Sequence, residues 1–301
     1  MVGRTILLSK PLKVALKDRQ LCLTIYEDGE ANMVQTPVEE VATVVIDHPQ
    51  VVITTPAMVA MMQQNVNVVY CDDKHLPTGI LKSTGNNHLI NKRARMQLRA
   101  SKPLQKSLWK YTVRCKIDNQ GRLLSKYGRN REPLVRLGKK VRSGDPDNRE
   151  GQAARYYWSH LFDDLQGFTR DRYGDYPNMM LNYGYSILRS AVARQLGAAG
   201  LINIVGIHHH NQYNAFCLAD DIMEPYRPMV DELVFDSYLH GLGADGVIDL
   251  EVKKVLLSIE NQKVKLLGKT TELGIALERT AYSLVDSYDK GEQRLTYPTL
   301  L

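Results

Sequence analysis

No apolar run in the sequence is long enough to cross a bilayer, which argues against a helix-anchored membrane protein. The first apolar residues are interrupted by Arg4, Lys10, Lys13, Lys17 and Arg19, a pattern unlike a secretory signal. Cysteine is sparse as well. The four residues Cys22, Cys71, Cys115 and Cys217 are scattered, without zinc or redox spacing, and read as buried thiols in a reducing cytoplasm. No internal repeat is visible. The most telling scarcity is of acids in one segment. Residues 81–143 carry 18 Lys and Arg against only Asp118 and Glu132, a net charge of +16, while the rest of the chain holds 21 basic and 31 acidic residues, a net of −10. The overall charge of +6 hides that segregation. Such polarity suggests a polyanion-binding surface beside an acidic site; the alternative is a solvated helical face.

The 301 residues suffice for one large or two medium domains. Residues 1–78 read as a small β-domain, a sandwich whose role is packing or assembly. Short β-branched or aliphatic runs start at Thr5, Leu21, Val41 and Val66, and Glu27-Asp28-Gly29-Glu30 has the composition of a hairpin turn. Thr55 and Pro56 form a helix start signal, with Thr55 as cap and Pro56 in the first helical position. Residues 79–88 read as a linker. The texture then becomes helical through 89–301, ending in an extended polar tail. Pro103 begins a basic helix with Leu104, Leu108, Tyr111 and Cys115 inward and Lys106, Lys110, Arg114 and Lys116 outward. Asn119-Gln120-Gly121 is expected to end it. A later helix, with Asp145 or Asp147 as its expected cap, carries Glu150. In isolation Glu150 reads as dipole compensation in a first turn. The predicted class is α+β, a small N-terminal β-sandwich domain followed by a larger all-α domain.

Residues 206–231 concentrate the candidate chemistry. His208, His209 and His210 stand in a row, and Asp220, Asp221 and Glu224 follow at the start of an apolar-periodic run. Asp221 and Glu224, three apart, share a helical face. Imidazole and carboxylate at one place suit a divalent cation, with Mg²⁺ or Mn²⁺ favoured by the oxygens. A surface histidine loop before an acidic first turn explains the same residues, and the residue types alone leave both readings open.

Three separated pieces carry a resemblance: EGQAARYYW at 150–158, NMMLNYGY at 178–185, and the run from GIHH at 206 to DDIMEPYRP ending at 228. Together they resemble the CRISPR-associated spacer-acquisition integrase and endonuclease family, the universal large subunit of adaptation. The stretch from Asn91 to Gln120 is similar to the type II form. The resemblance implies a β-sandwich joined by a linker to a helical catalytic domain, in a prokaryotic cytoplasm. It implies a metal site of Glu150, His209 and Glu224 holding Mg²⁺ or Mn²⁺, with Asp221 at or near the metal. The family pattern of glycine, two residues and histidine selects His209, and His208 becomes a neighbouring group or proton donor. The implied reaction is 3′-hydroxyl attack on repeat phosphodiesters, inserting double-stranded spacer precursor into the CRISPR repeat. His208, Tyr157 and Arg155 are candidate donors to the leaving oxygen. The implied assembly is a homodimer, two of which flank a dimer of a small ferredoxin-like subunit, with the type II interference nuclease helping to choose the precursor.

Arg93, Arg95 and Arg99 on one helix, and Lys139, Lys140 and Arg142 in a connector, are the expected phosphate rail, with Arg155 as a further DNA contact. A nuclease without integration shares every motif. A non-enzymatic basic DNA-binding scaffold and incidental Zn²⁺ or Ni²⁺ binding by the histidine run are the remaining alternatives.

Overall fold

The computed structural model describes residues 3–27, 30–73, 75, 77–81, 88–165 and 167–301. The chain divides into two units, Met1–His88 and Leu89–Leu301.

The first unit contains β1 (Arg4–Leu8), β2 (Leu12–Lys17), β3 (Gln20–Glu27), β4 (Glu30–Pro37), β5 (Val41–Ile46), β6 (Val51–Ile53), α1 (Thr55–Gln63), β7 (Asn67–Cys71) and β8 (Pro77–Leu81). Two four-stranded sheets form, ordered β1-β5-β7-β8 and β4-β3-β2-β6. Alternation sets their faces. In β2, Leu12 and Val14 are buried while Lys13 between them is exposed. One core joins Leu8, Val44 and Val68 of the first sheet to Val14, Leu21 and Leu23 of the second, with Ala57 and Met61 of α1. The expected sandwich is therefore present. β3 and β4 pair from Gln20↔Pro37 to Glu27↔Glu30, as the hairpin reading requires, although Asp28 and Gly29 lie outside the described residues. β4 itself gave no signal, because Glu30 to Gln35 are all exposed and show no alternation. Thr54, not Thr55, is the cap position of α1. β8 carries the first sheet to Leu81, across the boundary placed at 78. Of the expected linker, residues 82–87 lie outside the described residues.

The second unit contains α2 (Ile90–Leu98), α3 (Lys102–Lys126), α4 (Glu132–Lys139), α5 (Arg149–Leu161), α6 (Asn178–Ala198), α7 (Cys217–Met223), α8 (Arg227–Leu239), α9 (Leu250–Leu257) and α10 (Leu273–Lys290). A 3₁₀ turn, Glu224–Tyr226, joins α7 to α8. A two-stranded hairpin of β9 (Lys263–Leu266) and β10 (Lys269–Glu272) interrupts the expected all-helical pattern. Its signal was short but present: Lys263 and Lys265 are exposed, Val264 and Leu266 buried. Leu267 and Gly268 between the strands both take positive φ, 49° and 81°, as a primed hairpin turn demands.

α3 runs unbroken through Asn119-Gln120-Gly121, where the sequence suggested an end. Asn119 does not compete for its own backbone. Its Nδ2 donates to the carbonyls of Pro225 (2.7 Å) and Pro298 (3.1 Å), and its Oδ1 accepts from Leu300 N (3.0 Å). Gly121 faces α4, where an added Cβ would make an ordinary contact 3.8 Å from Leu134 Cβ. The C-terminal tail is extended, as expected, but packed. Leu295, Tyr297 and Leu300 are buried, and Thr299 bridges Lys265. α6 and α8 pack more closely still, since a Cβ on Gly184 would fall 2.5 Å from Val230 Cγ1. No helix among the described residues is long and apolar enough to cross a membrane.

Candidate active site

The site draws on α3, α5, the loop after α6, α7 and the 3₁₀ turn. α5 begins with Asn148 as its cap, accepting from Gly151 N (3.0 Å). The cap is worth about 1 kcal/mol of helix stability. Asp145, one expected cap, accepts instead from Arg149 N and Glu150 N at 2.9 and 3.0 Å. Asp147, the other, pairs with Arg142. The start of α5 is thus doubly fixed, and Glu150 in its first turn is aimed at α3.

There Glu150 meets Lys116, which the helical pattern had placed outward. The Lys116 side chain is only 12% exposed. Its Nζ donates to Glu150 Oε1 at 2.6 Å and lies 2.6 Å from Glu224 Oε2. Glu224 Oε2 is buried, and that ammonium is its close partner. Glu224 Oε1 accepts from Arg227 Nε at 2.9 Å. Burial favours the neutral form of Glu224, but the charges of Arg227 and Lys116 prevail and bring its pKa down to about 2. Burial also opposes the Lys116 ammonium, and the two glutamates outweigh it, so its pKa is raised.

Asp221 organises the histidine loop. It is fully buried. Its Oδ2 accepts from Ile207 N (2.6 Å) and His208 N (2.9 Å), and its Oδ1 accepts from His209 N (3.2 Å) and pairs with His209 Nδ1 (2.6 Å). The loop can wrap this carboxylate only because residue 206 is glycine: a Cβ there would sit 2.4 Å from His209 O and 2.8 Å from Asp221 Oδ2. Asp221 is thus committed to orienting His209. A proton on Nδ1, shared with Asp221, leaves Nε2 as the nitrogen with a free lone pair. The Asp221 hydrogen bond raises the pKa of His209 despite partial burial. His208 is lowered, chiefly by burial. It stacks on Trp109 of α3 with centroids 4.1 Å apart and planes 3° from parallel. The charges of Glu224 and Glu150 reach His209 and His208 respectively, so the structure brings all the named acids and both histidines into one neighbourhood. Among the described residues, however, no three His, Cys, Asp or Glu side chains converge as a metal-holding group. The Lys116 ammonium occupies the space between the two glutamates.

The motif at 178–185 supports this site from behind. Asn178 Oδ1 accepts from Asp171 N (3.0 Å) and Asn182 Oδ1 from Arg170 Nη2 (2.6 Å), stapling the preceding loop. Tyr185 donates to Asp231, and Arg227 lies 4.5 Å over the Tyr185 ring. Tyr157 is fully buried and donates to Asp231 Oδ2 at 2.7 Å, which removes it as a donor to a leaving oxygen. Arg155 is exposed and makes none of these contacts. Sequence reasoning missed Lys116, Arg227, Trp109 and Asp231. Lys116 stands one turn from Thr112 and one from Gln120, both buried on the same face, but nothing in the sequence marks those two polar residues as buried.

Asp231 gives a pH prediction. Burial raises its carboxyl to about 6, against the lowering effect of the Tyr185 and Tyr157 hydroxyls. The folded pKa exceeds the usual carboxylate value, so the folded state holds this proton more tightly. That stabilisation is complete below pH 4 and is lost as pH rises through about 6, a change on the order of 2–3 kcal/mol. Denaturant titrations across this range should show the falling contribution in the wild type and its absence in Asp231→Asn. Parallel curves for the two proteins would contradict it.

The expected DNA-contact residues separate into two sets. Arg93 donates to Ala199 O (2.9 Å) and lies 5.7 Å from the Tyr282 ring, so it fastens α2 in place, whereas Arg95 and Arg99 are exposed. Lys139 and Lys140 are exposed beside Lys110 and Arg149 in a basic groove. Arg142 shares this groove but is held bidentately by Asp147, at 2.9 and 2.7 Å. Lys126 and Arg129 pair with Glu232 and Asp163 outside the segment, which withdraws further charge from the +16, and Arg122 pairs with Asp118 within it.

Residues 7–266 match the family model described as CRISPR associated protein Cas1. The chain belongs to the Cas1 family. It is 35% identical, over 96% of its length and 90% of the relative's, to the CRISPR-associated endonuclease Cas1 of Neisseria meningitidis serogroup C. Two solved structures share the fold of this Cas1-family chain. A casposase bound to integration product superposes with a TM-score of 0.77 at 19% identity, covering 97% of this chain and 92% of that one. A chain of a Cas6-RT-Cas1–Cas2 complex superposes with a TM-score of 0.75 at 20% identity, covering all of this chain and 36% of that one.

Proposed function

We propose that this Cas1-family chain is a divalent-metal-dependent DNA integrase and endonuclease that inserts spacer DNA into a CRISPR array. The observation that carries the reading is the convergence of Glu150 Oε1 and the buried Glu224 Oε2 on one point, each 2.6 Å from Lys116 Nζ, in the neighbourhood of an imidazole oriented by Asp221. Two carboxylates and one imidazole nitrogen are a donor set that fits Mg²⁺ or Mn²⁺. Glu150, Glu224 and His209 Nε2 would hold the ion, and Asp221 fixes the ring. Bound there, the ion would withdraw charge from the scissile phosphate and make the attacking 3′-oxygen nucleophilic. His208, stacked on Trp109, would donate a hydrogen bond to the leaving oxygen. Arg227 holds one oxygen of Glu224 and so directs the other inward.

The family name of the Neisseria relative and the product-bound casposase support the nuclease and integrase halves of the reading. The neighbour solved with Cas2 supports a small companion subunit, and a homodimer completes the proposed assembly. Incubating the protein and its companion with Mn²⁺, a supercoiled repeat-bearing plasmid and a short duplex should yield covalently joined product. Nicks without joining would favour the nuclease alternative.

The histidine assignment has its own test. His209→Ala should lose Mn²⁺ affinity, while His208→Ala and His210→Ala keep it, with His208→Ala slowed in joining. Calorimetric titration decides this. Equal loss of affinity in His208→Ala and His209→Ala would show that the wrong neighbour was chosen.

A further inference from the structure

Lys116 holds the ground between the two glutamates proposed as metal ligands. Its Nζ lies 2.6 Å from Glu150 Oε1 and 2.6 Å from Glu224 Oε2, and its side chain is mostly buried. An ammonium and a divalent ion cannot both sit between these oxygens: at such spacing like charges repel strongly in a partly desolvated site. The alternative, a buried and a partly buried carboxylate facing each other with no cation, is costly, since breaking a buried pair leaves an uncompensated charge. Arg227 neutralises only Glu224, from its other oxygen, and the described residues give Glu150 no second cationic partner. Lys116 therefore supplies in the metal-free protein the charge that a metal supplies in the loaded one.

We propose that Lys116 is the resident counter-cation of this site, and that a divalent ion enters only by displacing its ammonium from between Glu150 and Glu224. The proposal rests on the metal-site reading above. It makes metal uptake an exchange of one cation for another. The Lys116 stem reaches inward from mid-α3, beside the buried Thr112 and Gln120, so the displaced amine stays tethered next to the site and has to swing toward solvent.

Three measurements on the DNA-free protein test the exchange. In Mn²⁺ titration calorimetry, Lys116→Gln should bind about tenfold tighter or more than the wild type, because no competing charge must leave. Lys116→Arg, which keeps the charge, should bind no tighter than the wild type. The third readout needs no variant. Amine acetylation of the wild type, quantified by mass spectrometry, should rise at Lys116 when Mn²⁺ is added and stay level at Lys139 and Lys140. Should Lys116→Gln fail to fold, this labelling still decides the question. Equal or weaker Mn²⁺ binding by Lys116→Gln, or Lys116 labelling unchanged while Mn²⁺ binds, overturns the exchange and leaves the metal site standing. Absence of any Glu150-dependent Mn²⁺ binding in the wild type overturns both.

Discussion

Glu150→Ala and His209→Ala are each expected to reduce the joining of a spacer-like duplex to a repeat by on the order of a thousandfold or more, the loss typical of removing a preorganised electrostatic element. Both should remain folded. Without Glu150, Lys116 still has Glu224 as partner. Without the His209 ring, Asp221 still accepts from the backbone of residues 207–209. Glu224→Ala should lose joining equally, but it strands Arg227 in a partly buried position, while Lys116 keeps Glu150, and should cost about 3–5 kcal/mol of stability. Glu224→Gln keeps the shape and separates the two effects. Joining assays run beside denaturant curves read both quantities. Wild-type joining in any of these variants would refute the assignment.

The second large effect concerns DNA affinity. Removing one cation that neutralises a phosphate of duplex DNA should flatten the slope of log affinity against log salt by about 0.9. Lys139 and Lys140 are exposed and unpaired among the described residues, whereas Arg142 is already neutralised by Asp147. Replacing all three by Ala should therefore flatten the slope by about two units, with similar weakening across unrelated sequences. On α2, Arg95→Ala and Arg99→Ala should act in the same way, while Arg93→Ala should lower stability and leave the slope alone. An unchanged slope in the Lys139, Lys140 and Arg142 variant would place the DNA path elsewhere.

The sandwich was legible where strands alternate or are β-branched, as at Val41 to Ile46. It was not legible at β4, whose exposed face carries no pattern. α3 was misread as ending because Asn119 and Gly121 are breakers by composition. The role of Asn119, holding the C-terminal tail, depends on partners far along the chain. The candidate site followed the same division. Glu150, the histidines, Asp221 and Glu224 could be named because their motifs together resemble a known family; residue type and spacing alone left them open. The roles of Lys116 and Arg227 could not, because a lysine in a basic helix looks like every other lysine until its neighbours are known. For the same reason the +16 segment overstated the free charge: several of its cations are closed into internal pairs that no local pattern reveals.

The central claim is that a 3′-hydroxyl, not water alone, attacks at the Glu150 and Glu224 site. The most direct measurement gives the wild-type protein, its small companion subunit and Mn²⁺ two labelled duplexes, one ending in 3′-hydroxyls and one in 3′-dideoxynucleotides, each with a supercoiled repeat-bearing plasmid. The account predicts label joined to the plasmid only from the 3′-hydroxyl duplex, and none with Glu150→Ala. Plasmid nicking without joined label, or equal joining from the dideoxy duplex, would contradict it.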